Sequence, residues 1–214
     1  METTLRWGAA IMNEEPVVFT SGELSIEGLY APGKGTQCVV ITHPHSQMGG
    51  SMKNNVVEAM VSAFSGQGYS TLRFNFRGVG RSEGVFDDGV GEQEDVKGAI
   101  AFCKEKGFDD ITLAGYSFGA WVNSRFLAGF DDLADVIMVS PPIDFVDFDF
   151  SHLTGRCGLV ICGDRDQFCP IHSLEGIIRE LGSRLEIVTG ADHFYFGKEQ
   201  GIINYLGDYL GDRD

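Results

Sequence analysis

Gly115-Tyr116-Ser117-Phe118-Gly119 decides the reading of this 214-residue chain. Ile111-Thr112-Leu113-Ala114 ahead of it is a short apolar run with the character of a buried strand. Ala120 to Leu127 behind it places Val122, Phe126 and Leu127 on one helical face. Gly-x-Ser-x-Gly between a strand and a helix is a sharp turn that lifts a serine hydroxyl into open space. A serine at such a turn takes a strained backbone conformation, and a side chain two residues to either side would meet the neighbouring strand or helix. Glycine fits at 115 and 119, so the pentapeptide and its flanks predict a nucleophile elbow centred on Ser117.

Outward from the elbow, strands and helices alternate. Pro16–Phe19 and Leu24–Tyr30 read as a hairpin turning at Thr20–Glu23. Gln37–Thr42 is a nearly continuous apolar run, as expected of a strand covered on both faces. A helix over Val56–Phe64 and a strand over Ser70–Phe76 follow. The next helix sets Val96, Ala99, Ile100 and Cys103 on one side. Beyond the elbow come strands at Val136–Val139, Gly158–Cys162 and Leu185–Val188. Helices are marked by Leu174, Ile177, Ile178 and Leu181, and by Ile202, Ile203, Leu206, Tyr209 and Leu210. Repeated strand-helix-strand units imply an α/β fold with a mostly parallel sheet and helices on both faces.

Residues 1–214 suit one domain, since a single core accommodates up to roughly 250 residues. Acids outnumber bases 31 to 16, giving a net charge of −15. Such a field repels phosphate backbones and anionic head groups, so neither nucleic acid nor a membrane surface is expected as a partner. No stretch approaches the ~20 apolar residues of a membrane span, and residues 1–16 do not resemble a signal sequence. Cys38, Cys103, Cys157, Cys162 and Cys169 are odd in number, include no CxxC pair and lie mostly in apolar surroundings. They read as reduced core residues, and the expected location is cytoplasmic.

An elbow serine needs a histidine to take its proton, and that histidine needs a carboxylate to fix its tautomer. In open α/β sheets such groups gather at the carboxyl ends of strands. Of the five histidines, His193 follows the last strand, in Gly190-Ala191-Asp192-His193-Phe194. The acid should lie between serine and histidine, where Gly163-Asp164-Arg165-Asp166 follows a strand and Asp144 follows the one before it. Asp166 is preferred, because Asp164 sits almost on the strand end, where it would cap the loop or pair with Arg165. Two amides must hold the oxyanion. Phe118 offers one at a helix start. The loop His43-Pro44-His45-Ser46 offers the other, from His45 with Ser46 as the fallback, since Pro44 has no N–H. His43 and His45 lack a third ligand at convincing spacing, so no metal is expected.

The combination of His43-Pro44-His45, Gly49-Gly50-Ser51-Met52, Phe74-Asn75-Phe76-Arg77-Gly78-Val79-Gly80-Arg81-Ser82, Gly115–Gly119, Gly163–Asp166 and Ala191-Asp192-His193 resembles the α/β-hydrolase superfamily over nearly the whole chain. Within it the chain is similar to small bacterial serine hydrolases akin to dienelactone hydrolases and esterases. The resemblance implies an eight-stranded, mostly parallel sheet with an antiparallel second strand, and its spacing from glycine to acid supports Asp166. Dienelactone hydrolases carry a cysteine and dehalogenases an aspartate where this chain has Ser117. Gly78-x-Gly80 mimics the start of a dinucleotide fingerprint, but Glu83 stands at its last glycine position.

Relatives often insert a cap domain between the sixth and seventh strands. The corresponding segment here, Pro141 to Arg156, is too short for one. Phe145 and Phe148 within it are expected either to form an apolar lip on the substrate pocket or to cover the sheet edge. Together these features lead to the expectation of a capless serine hydrolase acting on small carboxylic esters or thioesters with no cofactor. The alternatives are an amidase or peptidase using the same three residues, and a non-catalytic binding or scaffold protein on the same fold. A homodimer is compatible with the sequence, though nothing in it requires one.

Overall fold

In the computed structural model, which describes residues 13–213, each strand-helix alternation read from the sequence is present. Most of the segment read as lacking a signal sequence lies outside the described residues. β1 (Glu15–Ser21) and β2 (Leu24–Ala31) form the hairpin, paired from Glu15 opposite Tyr30 to Ser21 opposite Leu24. Then follow β3 (Gln37–Thr42), α1 (Asn55–Gly66), β4 (Ser70–Phe74), α2 (Gly91–Glu105), β5 (Asp110–Tyr116) and α3 (Phe118–Phe126). The chain continues through β6 (Asp135–Val139), β7 (Cys157–Gly163), α4 (Ile171–Leu181), β8 (Arg184–Val188) and α5 (Glu199–Gly211). The eight strands form one sheet in the order β1-β2-β4-β3-β5-β6-β7-β8. β2 runs antiparallel to both neighbours, and every other pairing is parallel. This is an α/β-hydrolase fold.

Strand alternation explains how the sheet is covered. On β3, Val39 and Ile41 face one side, where they pack with α1 and α5. Cys38 and Val40 face the other, with α2 and α3. All four are fully buried, and removing such side chains from water contributes about 1.5–3 kcal/mol each for valine and isoleucine. Val136, Met138, Val160 and Cys162 continue the second face beneath α4. Asn54 starts α1 by accepting the Val56 N–H at 2.9 Å, as an N-cap should.

One strand ends earlier than its sequence suggests. β4 stops at Phe74, because the next two amides leave the ladder toward β3. Asn75 N–H reaches the Glu27 carbonyl and Phe76 N–H reaches His43 Nε2 at 3.0 Å. The Pro141–Arg156 segment forms turns and no helix, so it builds no helical lid over the carboxyl ends of β5, β6 and β7.

Candidate active site

The loops after β3, β5, β6, β7 and β8 meet at one end of the sheet. At the centre stands Ser117, with φ 54° and ψ −119°, a conformation that a side chain adopts only under strain. Its amide is fastened to the Val139 carbonyl at the end of β6 at 3.0 Å. A Cβ on Gly115 would lie 2.6 Å from Asn123 Nδ2 and 2.7 Å from the Ala120 nitrogen on α3. One on Gly119 would lie 2.6 Å from Thr42 Oγ1 on β3. The close approach of strand and helix that fixes the turn therefore excludes any side chain at either position.

His193 and Asp166 complete a continuous run of hydrogen bonds. His193 Nε2 lies 2.9 Å from Ser117 Oγ, and Nδ1 lies 2.8 and 3.0 Å from the two carboxylate oxygens of Asp166. A carboxylate facing Nδ1 requires the proton there, which leaves Nε2 free to accept from the serine. Asp166 Oδ1 also accepts the amides of Phe168 and Cys169. Burial pushes the Asp166 carboxyl up, but hydrogen bonds from His193, Ser140 and Phe168 outweigh it and hold the group below the usual carboxylate range. Asp164 instead accepts the Gly190 amide at 2.7 Å and so ties the β7 loop to the β8 loop. Asp144 is exposed, and its amide donates to the Phe168 carbonyl. Of the three aspartates weighed from sequence, Asp166 alone is hydrogen-bonded to His193.

Phe118 is the first residue of α3, where an amide has no intrahelical acceptor. His45 borders the same cleft and precedes a 3-10 turn, with no partner for its N–H among the described residues. Ser46 does not border the cleft. The His45 ring is wedged between Phe86 and Phe118 at 4.9 and 4.8 Å. Burial there lowers its pKa despite the pull of Asp88 and Glu92. His43 has both ring nitrogens engaged, Nδ1 with the Pro44 carbonyl and Nε2 with the Phe76 amide. Among the described residues no cluster of His, Cys, Asp and Glu is arranged to hold a metal, and all five cysteines are buried and unpaired.

The cleft above Ser117 has a volume of about 140 Å³. Phe145, Val146, Phe168, Phe194 and Met48 stand on its walls, and among the described residues no Asp, Glu, Lys or Arg lines it. A larger hollow of about 360 Å³ shares no residue with it and lies where Arg81 meets Val17, Val18 and Glu27 of the β1–β2 hairpin. Of the two phenylalanines expected on the lip, Phe145 borders the cleft and stands edge-on to Phe168. Phe148 does not. It stacks on Phe150 at 4.5 Å and covers the core beneath α4, because Trp121 Nε1 pulls the segment down through the Asp147 carbonyl. Tyr116, Ser140, Phe168, Phe194 and Tyr195 receive no role from the sequence, because no spacing pattern marks them. The Ser140 hydroxyl lies 2.7 Å from that of Tyr195 behind Asp166, and both residues have positive φ.

Sheet order, elbow and the chain order of serine, aspartate and histidine are those of the α/β hydrolases. Residues 24–158 match the family described as X-Pro dipeptidyl-peptidase (S15 family). An uncharacterized protein of Rickettsia prowazekii is 31% identical over 209 residues, 91% of this chain and 87% of that one. The structure of an α/β serine hydrolase homologue from Coxiella burnetii is 31% identical, with a TM-score of 0.84 over 95% of this chain and 100% of that one. A lidless α/β serine hydrolase from Xanthomonas campestris is 28% identical, with a TM-score of 0.83 over 93% and 94%. The chain belongs to the α/β serine hydrolases, in the S15 family, and among the described residues no lid follows β6. The family match includes Ser117 but ends before Asp166 and His193.

Proposed function

We propose that this protein hydrolyses small carboxylic esters or thioesters through an acyl-enzyme on Ser117. His193 takes the serine proton at Nε2 as Ser117 Oγ bonds to the carbonyl carbon, and Asp166 stabilises the imidazolium. The amides of Phe118 and His45 receive the oxyanion. The bond to the leaving oxygen or sulfur then breaks as His193 returns the proton to it. Water attacks the acyl-enzyme by the same route, releasing the acid and restoring the serine. No cofactor enters these steps. The observation that carries the reading is the Asp166–His193–Ser117 hydrogen-bonded run opening directly into an apolar cleft.

The test is hydrolysis of a p-nitrophenyl ester series, acetyl through decanoyl, by the wild type and Ser117→Ala. Turnover by the wild type alone, greatest for short chains, is the expected result. Silence from both toward esters and thioesters would sink the reading.

Peptide hydrolysis is the second reading, and the S15 family description favours it. A dipeptidyl-peptidase must hold a free α-amino group, and a carboxylate is the natural partner for it. Among the described residues none lines this cleft, which favours ester cleavage. Comparing an ester with its matching amide, and with a Xaa-Pro anilide, separates the two.

A further inference from the structure

Three of the aromatic side chains that line the cleft form a wall about His193, while Phe118 lines it beside His45. Phe168 lies 4.7 Å from the His193 ring, Phe194 lies 5.8 Å from it, and Phe145 stands against Phe168 at 5.5 Å. The wall formed by Gly49 and Gly50 continues the loop that carries the His45 amide. Ester cleavage distinguishes these walls. The carbonyl oxygen must turn toward Phe118 and His45, whereas the leaving oxygen must come within hydrogen-bond reach of protonated His193 Nε2. The rings that flank His193 therefore flank the alcohol half of the substrate.

Size and polarity narrow that half further. The whole cleft, oxyanion side included, offers about 140 Å³, the scale of an apolar cavity that admits one benzene ring, so it holds no more than one ring. Edge-to-face contacts with Phe145 and Phe168 reward a ring over an alkyl chain of equal area. With no ionic side chain on the lining, a charged alcohol would lose its hydration without compensation.

We propose that Phe145, Phe168 and Phe194 form a leaving-group pocket for one uncharged aromatic ring, so that short-chain esters of benzyl-type alcohols are the favoured substrates. The assignment rests on the ester reading above. In the cleavage step the carbonyl carbon's bond to the benzylic oxygen breaks, that oxygen takes the proton from His193 Nε2, and a neutral alcohol departs. The acyl group stays on Ser117 until water removes it.

Benzyl acetate and methyl phenylacetate share one molecular formula and carry the ring on opposite sides of the ester. Their kcat/KM values, each divided by the hydroxide-catalysed rate, are compared with that of methyl acetate. Benzyl acetate should exceed methyl acetate by about ten-fold or more, the scale of selection that an apolar pocket exerts. Methyl phenylacetate should stay within about three-fold of methyl acetate, and Phe145→Ala should shrink the benzyl-to-methyl ratio. A preference for methyl phenylacetate overturns the proposal by placing the ring on the acyl side, and equal rates for all three overturn it by removing the ring site. Both results leave the ester reading standing. Failure to turn over any ester, together with failure of an alkyl fluorophosphonate to label Ser117, overturns both.

Discussion

The Tyr116 hydroxyl donates to the backbone carbonyl of His193 across 2.6 Å, joining the residue just before the nucleophile to the residue that would activate it. Burial pushes the Tyr116 pKa up, so the hydroxyl keeps its proton and stays a donor. The bond fixes the loop after β8 against the end of β5, on which the 2.9 Å separation of His193 Nε2 and Ser117 Oγ depends. Tyr116→Phe leaves a carbonyl without its partner in a dry setting, at a cost of about 1–3 kcal/mol in stability. Its kinetic signature should be a kcat lower by about ten-fold with KM within two-fold, since positioning is lost and the cleft is not. Steady-state kinetics and urea denaturation of the variant check both halves. An unchanged kcat would mean that the loop is held by its other contacts.

Ser117 offers a separate test, because its backbone and its hydroxyl can be judged independently. A Cβ in the left-handed half of conformational space costs about 1–2 kcal/mol, and Ser117 has φ 54°. Ser117→Ala keeps that strain and Ser117→Gly removes it. Both should lower turnover by 10⁴–10⁶-fold, the order expected when such a nucleophile is removed. In thermal melts the glycine variant should still be more stable than the alanine variant, by about 1 kcal/mol. Equal melting temperatures would show that the elbow is not strained in solution.

The oxyanion role given to the His45 amide can be isolated with two variants that both lose the ring and its bond from the Gln47 amide. His45 has φ −54°, which proline adopts readily. His45→Pro removes the N–H and the ring, while His45→Ala removes the ring alone. If the amide faces the oxyanion, proline should lower kcat by a further 10²–10³-fold beyond alanine, the usual effect of losing one donor. Equal kcat values would assign the second donor elsewhere.

Part of this site is legible in the sequence. The elbow was legible because its glycines answer to a close backbone approach, and the buried strands because β3 and its neighbours are apolar on both faces. Asp166 could be separated from Asp164 by distance from the strand end, and the structure supplies the reason in the Asp164–Gly190 bond. Phe145 and Phe148 could not be told apart, since both sit in one irregular segment with no periodicity. Their division depends on a tertiary contact, Trp121 Nε1 with the Asp147 carbonyl. Tyr116, Phe168 and Tyr195 were hidden for the same reason, because each acts across the sheet ends on a residue far away in sequence.

Acid stability should expose the role of His43 beside the oxyanion loop. The residue is fully buried, and that burial pushes its pKa from the ordinary 6.5 to about 4. Nδ1 donates to the Pro44 carbonyl while Nε2 accepts the Phe76 amide, an arrangement that only the neutral ring can make. The unfolded chain therefore binds this proton at higher pH than the folded one. Its contribution is fully present above about pH 6.5 and disappears as pH falls toward about 4, amounting to about 3 kcal/mol across the window. The depressed carboxyls of Glu27 and Asp166 act lower in pH, but His45 acts in the same direction as His43. Urea titrations from pH 7 to pH 4.5 should show wild-type stability falling with pH. His43→Gln, though less stable at pH 7, should show a slope shallower by close to one proton, and His45→Ala should change that slope less. If His43→Gln keeps the wild-type slope, the acid sensitivity arises elsewhere and His43 is not the neutral buried link between β3 and the β4 loop.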